Sequence, residues 1–222
     1  MAKNLIRGTK QRCTVVHGTD SLLVDNNVAY DTFGHCFMVE DGMERFNTFS
    51  NNLGARTKDA ERIIPNMPSK FNGDETDGFA ATFWITNPMN YYVNNVAAGG
   101  EGSGYWFELR HRPRGSMWEM YQGPEWFLRG MSLGSFKGNV AHSYLSAGIR
   151  TYPNGYVPSN VAVFEDSRVY RNDDSGMFIH NSRNITLKGF HFADNEQGVD
   201  VDRIDLFELR DSEIVGRSEG ML

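Results

Sequence analysis

"NNVAYDTFGHCF" (residues 26–37) returns as "NNVAAGGEGSGYWF" (94–107) and as "GNVAHSYLSAGI" (138–149). Each copy runs from asparagine through a small apolar pair and a polar stretch to glycine and a bulky apolar run. The turn asparagines are Asn27, Asn52, Asn95, Asn139, Asn172 and Asn195, separated by 25, 43, 44, 33 and 23 residues. The glycines that open the apolar runs are Gly34, Gly104, Gly148, Gly176 and Gly198; the interval is 44 from Gly104 to Gly148 and 22 from Gly176 to Gly198. A unit of about 22 residues, the length of two or three short strands with turns, is that of one coil of a parallel β-helix. The 44-residue intervals read as two coils, so Asn95 and Asn139 are expected in equivalent turns two coils apart, roughly 9–10 Å along the axis.

After each glycine the residues alternate as a strand requires. Val199 and Val201 share one face of "GVDVD", Met177 and Ile179 one face of "GMFIH", and Ile149 and Thr151 one face of "GIRTY". In "GYWFELR" the inward set is Tyr105, Phe107 and Leu109. Asparagine tolerates the left-handed backbone of a tight turn, and stacked asparagines hydrogen-bond amide to amide. Glycine suits the corner entering the next strand. The predicted fold is all-β, a right-handed parallel β-helix over residues 1–222 as a single domain, with two loops pushed out of the stack at about 55–78 and 112–134. The second loop carries Trp118, Tyr121, Trp126 and Phe127 and is expected to fold back over apolar surface.

Composition narrows the function classes. The chain has 222 residues, is 40% hydrophobic and carries a net charge of −6. Its charges are interspersed, with no wide basic face for nucleic acid. No apolar run reaches the length of a membrane span, and "MAKNLIRGTK" lacks the apolar core of a signal peptide. Cys13 and Cys36 stand 23 residues apart, about one coil, which predicts neighbouring strands. The period is uncertain by one residue, and one residue reverses a side chain's face, so free thiols and a disulfide both remain open. Open coil ends are sticky edges, and self-association through them is expected.

The blocks "CTVVHGT" (13–19), "GHCFMVEDGMERFNTFSNNLG" (34–54), "TFWITNPMNYYVNNVAAGGEGSGYWFELRHRPRG" (82–115), "NVAHSYLSAG" (139–148) and "FADNEQGV" (192–199) occur in this order. Together they resemble the central β-helix of the cell-migration-inducing and hyaluronan-binding protein (CEMIP) family, with fibrocystin-type proteins as more distant relatives. The resemblance implies an extracellular or cell-surface β-helix, part of a larger architecture, engaging hyaluronan or a related glycosaminoglycan. It also implies a hyaluronidase-like activity for the family, which has been tied to an upstream region absent from this chain. A structural or adhesive solenoid without catalysis is the alternative.

The outward residues after the glycines would line up Trp106, Glu108, Arg110, Arg150 and Tyr152, followed by Phe178 and His180, in a groove for a linear polysaccharide. Aromatic faces stack on sugar rings and guanidinium forks pair with carboxylates. The basic run Arg110, His111, Arg112 and Arg114 would favour a polyanion. Glycoside cleavage needs two carboxyl groups, and the candidates are Glu40, Asp41, Glu108, Asp200 and Asp202. Calcium is the candidate ion at Glu40, Asp41 and the "GDETDG" run (73–78), while His17 and His35 are weak candidates for a metal site because no zinc spacing is present. Asn184-Ile185-Thr186 is a glycosylation sequon.

Overall fold

The computed structural model describes residues 1–61, 79–115, 118–121 and 123–216. Every pairing between its strands is parallel, and each strand pairs with its equivalent on the neighbouring coil rather than with the next strand in sequence. One ladder stacks β1 (Leu5–Arg7), β4 (Val28–Phe33), β7 (Leu53–Lys58), β10 (Val96–Gly100), β13 (Val140–Tyr144), β16 (Arg168–Tyr170), β18 (His191–Ala193) and β20 (Glu213–Val215). A second stacks β2 (Thr14–Val16), β5 (Phe37–Val39), β8 (Ala81–Ile85), β11 (Ser103–Phe107) and β14 (Ile149–Thr151). A third stacks β3 (Leu23–Asp25), β6 (Thr48–Ser50), β9 (Tyr91–Val93), β12 (Ser135–Lys137) and β15 (Ala162–Glu165). The long strands β17 (Ser175–Lys188) and β19 (Gln197–Arg210) bend round a corner and continue the second and third ladders together. The result is a β-solenoid of about eight turns.

The inward residues are those that alternation picks out. Tyr105, Phe107, Leu109, Ile149, Thr151, Met177 and Ile179 are buried. Along the axis the aromatic core repeats coil by coil: Phe37 stacks on Phe83 at 4.9 Å and Phe83 on Tyr105 at 4.7 Å. Phe49 stacks on Tyr92 at 5.0 Å. These separations are the interstrand spacing itself, so the rings stack face to face because the ladder places them there. Val201 is half-exposed, since β19 belongs to the last full coil described and no described strand stacks beyond it.

The asparagine ladder is present but divided. Asn4, Asn27, Asn52, Asn95 and Asn139 occupy one corner, each passing its backbone and side-chain N–H groups to the Oδ1 of the next. Asn172 and Asn195 form a separate rung pair at another corner. A further rung, Asn47 to Asn90, was not picked out by the spacing. Asn95 and Asn139 are in direct contact, Nδ2 to Oδ1 3.2 Å, so they lie on adjacent coils and not two coils apart. The 43- and 44-residue intervals are therefore single coils, each carrying one of the two excursions. The first excursion also starts later than expected, because residues 53–58 are strand β7, paired with β4 and β10. Most of that excursion, including the "GDETDG" run, lies outside the described residues.

The turn chemistry differs from expectation in a second way. The left-handed residue is the one before each ladder asparagine: Asn26, Asn51 and Asn94 have φ near +55°, and Gly138 φ +67°. In each "NN" pair the first asparagine supplies the turn and the second the ladder. The glycines of the apolar runs are required by close approach instead. A Cβ on Gly104 would sit 2.6 Å from the Gly148 carbonyl oxygen, and one on Gly176 2.6 Å from that of Gly198.

Cys13 and Cys36 form a disulfide, with Cα atoms 4.4 Å apart. The bond joins the coil containing β2 to the one containing β5.

Candidate functional site

Alternation sends every second residue of the second ladder out of the solenoid. Register places Met38, Trp84, Trp106, Arg150, Phe178 and Asp200 in one outward row, one residue per coil. Two residues further on, Glu108, Tyr152, His180 and Asp202 continue the same outer face, His180 and Asp202 being register partners. The face is divided into a covered half and an open half.

In the covered half the outward residues are buried. Met38, Ala81, Trp84 and Trp106 form a small apolar cluster separate from the solenoid core. His35 stacks on Trp84 at 3.9 Å, and the Trp106 indole N–H donates to the Tyr152 carbonyl at 2.7 Å. Glu108 is fully buried and accepts from Arg110 Nε at 2.9 Å and from Arg114 Nη2. Trp106, Glu108 and Arg110 thus do not line an open groove. The reason is the excursion after β11, which doubles back across this face. The Arg114 N–H donates to the Asp41 carbonyl at 2.8 Å, and the N–H groups of Val157 and Ser159 donate to the carbonyls of Arg129 and Gly130. Within the excursion three short 3-10 turns, Trp118–Met120, Pro124–Trp126 and Leu128–Gly130, present the aromatic residues. Leu128 packs so closely on Gly42 that a Cβ there would lie 2.7 Å from its Cδ1. Periodicity cannot show such a cover, because it is held by contacts between residues 28 to 86 positions apart.

In the open half the Arg150 guanidinium lies 4.3 Å from the Trp106 ring centroid and 4.8 Å from that of Tyr152. Its Nε is buried and has no acceptor among the described residues. Tyr152 is 39% exposed and clusters with Phe178 at 6.1 Å and His180 at 5.4 Å. His180 Nδ1 pairs with Asp202 at 2.8 Å, and Arg203 reaches the same carboxylate at 3.3 Å. Those two contacts hold the Asp202 carboxyl below its usual range, which keeps it ionised and unsuited to donate a proton.

A second group of carboxylates lies at the edge of the cover. Burial, and then the nearby Glu44 charge, push Asp41 up to about 6, with His17 opposing. Burial likewise raises Glu44, whose oxygens accept from the Gly18 and Gly42 N–H groups. Burial raises Glu108 to about 7 against the pull of Arg114. His17 bonds to Glu40 at 2.7 Å and is raised by that contact. His35 does not join it: its Nδ1 accepts from the Ala81 N–H, and burial drives its pKa well down. Among the described residues no group of three or more His, Cys, Asp or Glu side chains is placed to hold a metal ion. Asn184 donates to the Pro158 carbonyl and Thr186 is buried, so the sequon lies in the bend of β17 rather than in an open loop.

Three histidine–carboxylate pairs, His17–Glu40, His180–Asp202 and His191–Glu213, went unnoticed in the sequence. Their separations of 23, 22 and 22 residues are one coil each, so the period itself was the signal.

A family model described as the CEMIP beta-helix matches residues 1–149. The human cell migration-inducing and hyaluronan-binding protein is 36% identical over 158 residues, 65% of this chain and 12% of that protein. Human cell surface hyaluronidase CEMIP2 is 30% identical over 234 residues, 85% of this chain and 17% of that protein. Human fibrocystin-L is 32% identical over 146 residues, 64% of this chain and 3% of that protein. The chain therefore spans less than a fifth of the length of these relatives. With the solenoid, its corner ladder and the match to the family's β-helix in agreement, this chain belongs to the CEMIP family.

Proposed function

We propose that this solenoid binds an anionic, carboxylated polysaccharide of the hyaluronan type along the open half of its outer face, in an extracellular setting. The observation that carries the reading is Arg150, a guanidinium in contact with the rings of both Trp106 and Tyr152, with a buried Nε–H that no group among the described residues accepts. Contact with two rings restricts its rotamers, so less side-chain entropy is lost when its edge meets a carboxylate. Tyr152 and Phe178 offer ring faces beside it for the apolar side of a sugar. The disulfide supports an oxidising compartment, and relatives named for hyaluronan binding and for hyaluronidase activity support the choice of polymer.

Binding, not cleavage, is the activity assigned to these residues. Glu108 is enclosed and paired with two arginines, and Asp202 stays ionised. Incubation with size-defined hyaluronan, at low and high salt and with or without calcium, tests the reading. Salt-sensitive retention without shortening is the expected result. Shortening would overturn the binding-only assignment, and no retention at low salt would favour a purely structural solenoid. Arg150→Gln removes the charge-assisted contacts, worth roughly 1.5 kcal/mol at the lower end, and is expected to weaken binding about tenfold. Arg110 is unsuitable for this test because it is committed to the buried Glu108.

A further inference from the structure

We propose that the excursion between β11 and β12 carries a second sugar-binding platform, made of Trp126, Arg45 and Phe46, that takes a carboxylated saccharide unit. The platform stands on residues that the Arg150 site does not use; only the choice of a carboxylated sugar rests on the reading above.

The observation is a repeated design. The Arg45 guanidinium lies 4.5 Å from the Trp126 ring centroid and 5.3 Å from that of Phe46. Its Nε, like that of Arg150, is buried and has no acceptor among the described residues. A buried N–H without an acceptor is costly, and a carboxylate oxygen meeting the guanidinium edge removes that cost.

Two further features set the geometry. Phe46 adopts φ +59°, an unfavourable conformation for a bulky residue, and is 40% exposed. This left-handed φ recurs at other corners of the solenoid, and at this one the ring stays outside the core beside Arg45. Tyr121 meets Trp126 edge-on at 4.5 Å and 81°, which fixes the indole plane. Pro124, Glu125 and Phe127, the neighbours of Trp126 in sequence, line an open hollow of about 280 Å³ together with Met89 and Ser159. A flat ring, a fixed guanidinium edge and a shallow hollow together suit one sugar of a chain. One long polymer engaging both platforms would gain affinity by linkage, without any new contact at either.

The test uses the whole chain with fluorotryptophan in place of tryptophan and fluorine NMR, with the Trp126 signal assigned through Trp126→Phe. Short hyaluronan oligosaccharides and neutral chitin-type oligosaccharides of equal length are titrated in. A saturable shift of the Trp126 signal with the hyaluronan oligosaccharide is expected. The same shift should persist in an Arg150→Gln/Tyr152→Ala variant and weaken at least tenfold in Arg45→Gln, whose unliganded spectrum serves as the check on folding. A Trp126 signal that stays still at saturating oligosaccharide, an equal shift with the neutral sugar, or loss of the shift in the Arg150 variant would each overturn the proposal. If Trp126 shifts while Arg150→Gln costs no affinity, the second platform stands and the Arg150 reading fails. If Arg150→Gln abolishes binding while Trp126 never moves, the reverse holds.

Discussion

Replacing Asn95 by alanine interrupts the corner ladder at its centre. Asn95 Oδ1 accepts the backbone N–H of Asn52 at 3.0 Å and its side-chain Nδ2 at 2.9 Å, while Asn95 Nδ2 donates to the Phe49 carbonyl at 2.8 Å. All of these groups are buried. In Asn95→Ala the Asn52 N–H is left with no acceptor, whereas Asn52 Nδ2 keeps the Val24 carbonyl and Asn139 Oδ1 keeps the Asn95 N–H. One orphaned buried donor costs roughly 1–3 kcal/mol, and the three other lost bonds about 1 kcal/mol each, for a total of roughly 4–6 kcal/mol. Asn95→Ser supplies the control. Ser167 follows Asn139 at this corner, and its Oγ accepts the Asn139 N–H at 3.2 Å, so a serine can take the Asn52 N–H and should cost only about half as much. Equilibrium unfolding in urea reads both variants, provided the m-value is unchanged, since stacked repeats lose two-state behaviour when one interface weakens. An Asn95→Ala variant within about 1 kcal/mol of the parent, or a serine variant as poor as the alanine one, would refute the ladder as a source of stability.

Three further outcomes are expected. Reducing the Cys13–Cys36 bond frees a loop of 23 residues and should cost about 3.5 kcal/mol, with faster hydrogen exchange in β1–β3 than in β14–β17; an unchanged unfolding midpoint under reductant would contradict this. Asp41, raised to about 6, binds a proton more readily folded than unfolded, so its contribution is present at acid pH and is lost as pH rises from about 4 through 6. His17, also raised, loses its contribution above its ordinary 6.5, so thermal midpoints should fall between pH 4 and 8. Asp41→Asn should flatten that slope and add about 1–2 kcal/mol at pH 7.5, a gain whose absence in calorimetry would count against the burial of the charge. Gly104→Ala places a methyl group 2.6 Å from the Gly148 carbonyl oxygen and 2.9 Å from the Ala141 methyl, and should destabilise by roughly 1–3 kcal/mol in the same urea assay.

Much of the solenoid was legible because its determinants are local and periodic. Alternation after each glycine identified the inward residues from Tyr105 to Ile179, and the repeated "NN" marked the same corner in three coils. The period failed where a coil carried an excursion, since an interval of 44 reads equally as two coils or as one coil with a detour; the contact of Asn95 with Asn139 decides between them. The disulfide was half legible: the 23-residue spacing set Cys13 and Cys36 on neighbouring coils, but only the final register brings the two sulfurs together.

The site was legible only as a row. Strand pleat alone places Trp106, Arg150 and Phe178 outside the solenoid, because side-chain direction in a strand depends on the residue count from the glycine. Whether an outward residue meets water depends on what folds over it, and here that is an excursion anchored by Arg114, Leu128 and Arg129 on segments distant in sequence. The sequence by itself therefore determined the coil, its corner residues and the direction of each strand side chain. Only the tertiary structure decided that Trp106 and Glu108 are enclosed while Arg150 and Tyr152 stay open, since burial is set by long-range packing that a local repeat does not encode.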